Sequence, residues 1–503
     1  MDGADRAPLR RRGSIDMSER TDASEPLTAE DRSDPRAARA RTSVLRFASI
    51  VGQLMILAAV CRLLQPAFFA LALTITVGFA AHYWTPFRFK EPVWFVIAVA
   101  GGAFVAGSPG GVAAGSLHAA AEAMAITLAL SLIVFAIVSA PVPYAARVAL
   151  VAAMFAVISW LGGHHRHALH LTDAFYRVFG SVFMFHVFLY VYEARRFRER
   201  PSLTAFLRYF FMLPSFRLTL PFVDFQRLGQ SYYQRDIHVV AQQGIRWIVR
   251  GGVQYAIYLW AAGHIWFART AHDARTPRMV ATHLVLAYCL YLRTSGLIHA
   301  FLGTMHLFGY DLPEGYRWYW LAHRPIDFWR RCNVYWKDAM TKIAYFPVYF
   351  ALRRRGDALA KIAAMVVTFA LSWILHLWRL SWLTGLKLST LHFLRRLATE
   401  NAHWLIFGVV ATIDLMLEIR AEKKAPAARR ALLPKPAPEL TGMARWIEDA
   451  KQHVRTRIGL PAGIHPARAA LQIAATWMLA ASLFSLQHAP SIRAWIYTMK
   501  FWG

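Results

Sequence analysis

Long stretches of this 503-residue chain carry no Asp, Glu, Lys or Arg, among them 63–87, 92–121, 123–146, 251–268, 294–310, 362–378 and 469–492. A bilayer core of about 30 Å is crossed by roughly 20 apolar residues in a helix. Several runs meet that length alone, and others meet it with a flanking Arg whose stem snorkels to the interface. Within hydrocarbon the backbone must satisfy its own hydrogen bonds, so these runs are helices. Composition agrees: 57% of residues are apolar and only 17% charged, whereas soluble domains run near a quarter charged. That excludes an ordinary water-soluble enzyme, a disordered chain and a disulfide scaffold. The fold class expected is all-α, a polytopic membrane bundle of about eleven spans. They run near 44–63, 66–84, 92–108, 112–140, 144–162, 172–192, 248–268, 279–303, 362–380, 402–419 and 468–488.

Net charge is +28. Its Lys and Arg sit in short blocks between apolar runs, the pattern of positive loops retained in the cytoplasm rather than a nucleic-acid surface. The blocks are 193–200, the Arg353-Arg354-Arg355 tract with Lys361, and 420–436, with six Lys or Arg against one Glu. Counting spans between them places the N-terminus inside and the C-terminus outside a cell (inner or plasma) membrane. Residues 1–43 hold nine Arg against nine acidic residues with no apolar period, so a disordered cytoplasmic tail is expected. The three cysteines, Cys61, Cys289 and Cys332, form no CxxC pair, and neither a disulfide framework nor a metal site is expected. The His164-His165-Arg166-His167 tract reads as a solvated loop.

Two stretches, 203–247 and 305–350, mix aromatics, prolines and Arg. They suit interfacial amphipathic helices, or re-entrant segments bordering a water-accessible interior. Ionisable side chains inside spans are costly and default to functional candidates. Here they are His186, His264, Arg293, His299, His376, His403 and Asp414.

Order along the chain separates these candidates. Ser295-Gly296 lies in a span. His306-Leu307-Phe308-Gly309-Tyr310-Asp311-Leu312-Pro313-Glu314-Gly315-Tyr316 follows, then Asp327-Phe328-Trp329-Arg330-Arg331-Cys332-Asn333, then Tyr345-Phe346-Pro347. Leu371-Ser372-Trp373-Ile374-Leu375-His376 closes the set, with Asn333 and His376 43 positions apart. Over roughly residues 203–380 this resembles the membrane-bound O-acyltransferase family, in particular its bacterial branch of alginate O-acetylases and teichoic-acid D-alanyl transferases. That branch carries a Ser-Gly span, a Leu-Phe-Gly-Phe-x-Leu-Pro-Glu segment, Asp-Phe-Trp-Arg-Arg before a His or Asn, and later a buried His. Phe211-Met212-Leu213-Pro214 also looks like its upstream proline segment. Three places differ: Leu297-Ile298-His299 stand where an acidic residue is usual, Thr341-Lys342 replace Arg-Asp, and Leu375-His376-Leu377 replace Trp-His-Gly.

The resemblance implies an N-terminal helical bundle (44–202), a catalytic core (203–420) around a central tunnel, and a basic segment with a final span (421–503). It implies transfer of a short acyl group, such as acetyl, from a coenzyme A or acyl-carrier thioester to a hydroxyl on an extracytoplasmic glycan, a lipid or a small molecule. A periplasmic partner or an acyl-carrier protein fits the same scheme. His376, about 14 residues and therefore about 21 Å into its span, is the expected general base. Burial favours its neutral form, which takes the hydroxyl proton. Asn333 is expected to position the acceptor or polarise the thioester carbonyl. Arg330, Arg331, Lys337 and Lys342 either attract donor phosphates or follow the positive-inside rule. Two other readings stay open: a transporter or channel built on the intramembrane His and Arg, and an inactive scaffold of the same fold.

Overall fold

The computed structural model describes residues 35–111, 113, 115–164, 173–182, 184–197, 200–218, 221–265, 276–383, 402–431, 465–489 and 492–500. The expected tail over 1–34, the His165–His167 tract and most of the basic segment 432–464 lie outside them. Every regular element among the described residues is a helix, with one isolated backbone bridge, Tyr232 to Tyr310. Eight helices are long and apolar enough to cross a membrane, which makes this a helical protein of the multi-pass membrane type.

Five of those eight take labels here: α1 (Val44–Leu64), α2 (Phe69–Trp84), α3 (Phe87–Gly107), α4 (Leu117–Ser139) and, further on, α11 (Pro277–Leu307). Between α4 and α11 come α5 (Tyr144–His164), α6 (Asp173–Val182), α7 (Met184–Ala194), α8 (Leu203–Phe210), α9 (Phe225–Ser231) and α10 (Ile237–His264). Short helices α12 (Pro325–Arg331), α13 (Val334–Met340) and α14 (Phe346–Leu352) lead into α15 (Asp357–Leu383). The chain ends with α16 (Ala402–Ala431), α17 (Pro466–His488) and α18 (Ile492–Lys500). Side-chain oxygens begin many of them. Ser43, Ser116, Ser202, Asp224, Asp236 and Thr276 each accept a backbone N–H from the first turn, satisfying donors that helix geometry leaves open.

Two expected spans differ from what is seen. The 172–192 segment forms two helices, α6 and α7. Asp173 and Arg177 put polar groups on α6, which no all-round lipid contact tolerates. The described part of the 248–268 run, up to His264, belongs to the longer α10, which starts eleven residues earlier, just after the Asp236 cap. Gln242, Arg246, Arg250 and Gln254, four apart, stripe this helix with polarity, so a search for charge-free runs finds only its second half.

The most extensive helix pairing is α10 with α11. A Cβ on Gly251 would lie 2.4 Å from the Gly296 carbonyl oxygen, and one on Gly303 would lie 2.5 Å from that of Gly244. Glycines seven apart on each helix therefore let the backbones touch, the small-residue contact typical of membrane helices. After α11 the chain doubles back. Tyr319 reaches Ser295 (hydroxyl to hydroxyl 3.3 Å), twelve residues or about 18 Å from the end of α11. The 308–322 segment thus lies alongside α11 and carries the loop against which α13 is fixed.

Candidate functional site

Asn333 has φ +46° and ψ +62°. Asn is among the few residues that adopt this left-handed conformation readily. It lets the chain turn sharply between α12 and α13. There Asn333 Oδ1 accepts the backbone N–H of Trp336 (3.3 Å), capping α13. The loop holds this corner from the other side: Val334 N–H donates to the Gly315 carbonyl (2.8 Å) and the Tyr335 hydroxyl to the Pro313 carbonyl (2.6 Å).

Trp336 joins Asn333 to His376. Its indole N–H donates to Ser372 Oγ on α15 (3.3 Å), and its ring meets the His376 ring edge-on at 4.7 Å. Trp404, from the start of α16, covers another side of the imidazole at 4.3 Å. His376 Nδ1 lies 2.7 Å from the Ser372 carbonyl. A carbonyl only accepts, so the neutral ring carries its proton on Nδ1 and its basic lone pair on Nε2. His376 is half-buried, an imidazole held between two indoles with its tautomer set by the helix backbone.

A cavity of about 900 Å³ opens beside this cluster. Leu189, Phe222 and Ala339 form its apolar side, and Arg195, Arg196, Arg227 and Lys342 its basic side, with Asp224 and Asp338 among them. Phe222 stands edge-on to Trp336 at 4.9 Å, so two ring-to-ring steps lead from the cavity wall to His376. Leu189, Ala339, Met340 and Leu375 pack around the same indole. Lys342 pairs with Glu193 and lies 3.5 Å from Asp224. Arg227 pairs with Asp338 at 3.0 Å. The Arg195 guanidinium packs over the Tyr192 ring and donates to its hydroxyl at 2.7 Å.

Of the four basic residues singled out from sequence, only Lys342 lines the cavity. Arg330 meets Glu418 at 3.4 Å, Arg331 meets Asp327 at 2.8 Å, and Lys337 pairs with Asp338 at 2.7 Å. Of the other cations that line it, Arg195 and Arg196 were legible only as loop charge, and Arg227 only as one Arg of the interfacial 203–247 stretch. Trp336 and Trp404 carried no sequence signal at all, because an indole is informative only once its neighbours are known.

A second polar network sits between α10 and α11. Fully buried His299 approaches Gln254 Oε1 (2.9 Å) through Nδ1 and Glu314 Oε1 (3.3 Å) through Nε2. Arg250 pairs with the same carboxylate at 2.6 Å and lies over the Trp318 and Trp320 rings. Burial pushes the Glu314 carboxyl up, but the His299 hydrogen bond and the Arg250 charge outweigh it and hold it below the usual range. Because Glu314 stands between Pro313 and Gly315, this network anchors the loop that holds α13. His299 was visible in the sequence as the replacement for an acidic residue. Its carboxylate arrives instead from Glu314, fifteen residues on.

The remaining candidates go elsewhere. His186 packs among Tyr209, Phe210 and Phe222. His264 bonds the Trp260 carbonyl (2.8 Å) on an exposed turn. Arg293 lies over Tyr258, and His403 packs beside Trp404. Asp414 pairs with Arg324 (2.7 Å) and accepts the Ile326 N–H (3.1 Å), fastening α12 to α16. Among the described residues no cluster of His, Cys, Asp and Glu is placed to hold a metal ion. Compared with known proteins, the sequence matches no family model and no curated protein.

Proposed function

We propose that the protein is a multi-pass membrane O-acyltransferase, with His376 as general base and Asn333 positioning the acceptor or polarising the thioester carbonyl. The observation that carries this reading is a basic cavity set two packed rings, Phe222 and Trp336, from an imidazole whose Nε2 bears the lone pair. Arg195, Arg196 and Lys342 suit the phosphates of a coenzyme A or carrier-bound thioester, while the Phe222 and Ala339 side suits its acyl arm. The reaction follows from those groups. Nε2 takes the hydroxyl proton as the oxygen attacks the thioester carbonyl carbon. The oxyanion forms, the C–S bond breaks, and the imidazolium returns the proton to the thiolate, leaving ester and free thiol. Asn333 Oδ1 is committed to the cap, so its Nδ2 is the group that donates to the oxyanion.

In this reading the N-terminus and the basic blocks face the cytoplasm, and the acceptor reaches His376 from the far side or from lipid. Eleven spans follow if α5, the α6–α7 pair and α10 also cross. The test is thiol release by purified protein from a short acyl thioester such as acetyl-coenzyme A, with and without added alcohols. Alcohol-dependent release supports the reading, and no release from any short thioester overturns it. A carrier is the alternative that the charged Arg250–Glu314–His299 network favours; it predicts solute flux in proteoliposomes without free thiol.

A further inference from the structure

Where α1 and α10 begin, they leave a pocket of about 480 Å³ between them, inside the size range of ligand sites. It is separate from the cavity near His376. Each helix supplies one polar face: Arg46, Ser49 and Gln53 at helical spacing from α1, and His238, Gln242, Gln243 and Arg246 from α10. The floor is closed by a reciprocal amide pair, Gln53 Nε2 to Gln242 Oε1 (3.2 Å) and Gln242 Nε2 to Gln53 Oε1 (3.1 Å). One wall is built rather than loose. His238 Nε2 lies 2.7 Å from the Tyr83 hydroxyl, which donates to the Ser43 carbonyl (3.1 Å). His238 Nδ1 lies between the Arg46 guanidinium (3.5 Å) and the Asp236 carboxylate (3.3 Å).

Charge in this pocket is unbalanced. Neither Arg46 nor Arg246 has an ion pair among the described residues. No carboxylate lines the pocket, and nearby Asp236 is occupied in capping α10 and in contact with His238. The surroundings are apolar and exposed: Val44, Leu45, Val239 and Val249 all face outward. Arg246 stands nine residues into α10, about 14 Å from its start. Its side chain is exposed, and it stands just before the charge-free 251–268 run, at the headgroup level in the proposed topology. A single anion bridging both arginines satisfies them through charge-assisted hydrogen bonds.

We propose that this groove is a specific site for an anionic glycerophospholipid of the phosphatidylglycerol type, its phosphate held by Arg46 and Arg246. Ser49 and Gln243 are placed for the headgroup hydroxyls, and the acyl chains lie along the exposed valines. The shared chemistry is that of any phosphate, but the apolar rim selects the lipid over the free ion. The proposal stands whether or not the protein transfers acyl groups.

Purified protein is offered equal amounts of phosphatidylglycerol and phosphatidylcholine, and retained lipid is counted by native mass spectrometry. Wild type is expected to keep one phosphatidylglycerol, preferred by at least about tenfold, and the Arg46→Ala/Arg246→Ala double variant to lose the preference. The Arg46→Lys/Arg246→Lys double variant keeps it in part. A photoreactive phosphatidylglycerol on wild-type protein, which needs no variant to fold, is expected to crosslink peptides from 44–53 and 237–249. Equal retention of both lipids by wild type, an unchanged preference in the folded alanine variant, or crosslinks confined to other segments would each overturn the site. So would thermal stabilisation by inorganic phosphate alone that equals the effect of the lipid.

Discussion

His376→Ala removes the group that takes the hydroxyl proton while leaving Trp336 and Trp404 to fill the space. Thiol release is expected to fall about 10²–10⁴-fold with the thermal transition little changed; full activity in the folded variant would refute the assignment. Asn333 has two separable jobs, and two substitutions divide them. Asn333→Gly keeps the left-handed turn at +46° and costs a few tenths of a kcal/mol as a cap; Asn333→Ala loses the cap and strains the backbone, about 1–2 kcal/mol. Both remove the Nδ2 donor. Equal loss of activity with unequal loss of stability marks a catalytic contact, whereas activity that tracks stability marks a cap alone. Charge at the end of α11 gives a pH signature. Burial raises the Asp311 carboxyl, but the His306 hydrogen bond and paired Arg235 outweigh it and hold it far below its ordinary value. A depressed carboxyl stabilises the fold above its unfolded pKa, about 3.9, and that contribution is lost as pH falls further. Arg235→Met is therefore expected to cost a few tenths to about 1 kcal/mol at pH 7, since Arg235 is half exposed. The gap from wild type should narrow below about pH 4 in denaturation series.

Helices α10 and α11 meet backbone to backbone, and the polar network depends on that closeness. Gly251→Ala or Gly303→Ala puts a methyl within 2.5 Å of a facing carbonyl oxygen or against a side chain. The helices must part, at about 1–3 kcal/mol, stretching the His299–Gln254 contact with them. Gly252→Ala, which meets nothing within 4 Å, is the control and should be neutral or slightly stabilising through helix propensity. Equal thermal shifts for positions 251 and 252 would show that the close approach does not matter. The same elements explain a sequence-level miss. A polar stripe four residues apart hides α10 from a search for uncharged runs, yet Asp236 marks its start by capping chemistry that the sequence carries openly.

At the scale of the whole molecule, the basic blocks imply one orientation. Single cysteines at Arg196 and Arg354, in a background lacking the three native ones, are expected to react with an impermeant thiol reagent only in inside-out vesicles. One at Thr276, before α11, should react only in right-side-out vesicles. Labelling of all three from one side would sink the topology. Apolar runs and caps wrote the helices into the sequence, because hydrocarbon demands that each segment satisfy its own backbone; eight long apolar helices stand where eight of the eleven spans were expected. The motif order put Asn333 and His376 forward as candidates. Their common neighbour Trp336, the cavity cations Arg195 and Arg227, and the Glu314 partner of His299 were not legible. Each depends on segments distant in the chain meeting in space, through a loop that doubles back along α11. Periodicity and charge fix what one segment does with solvent and lipid, while packing between segments decides which side chains share a site.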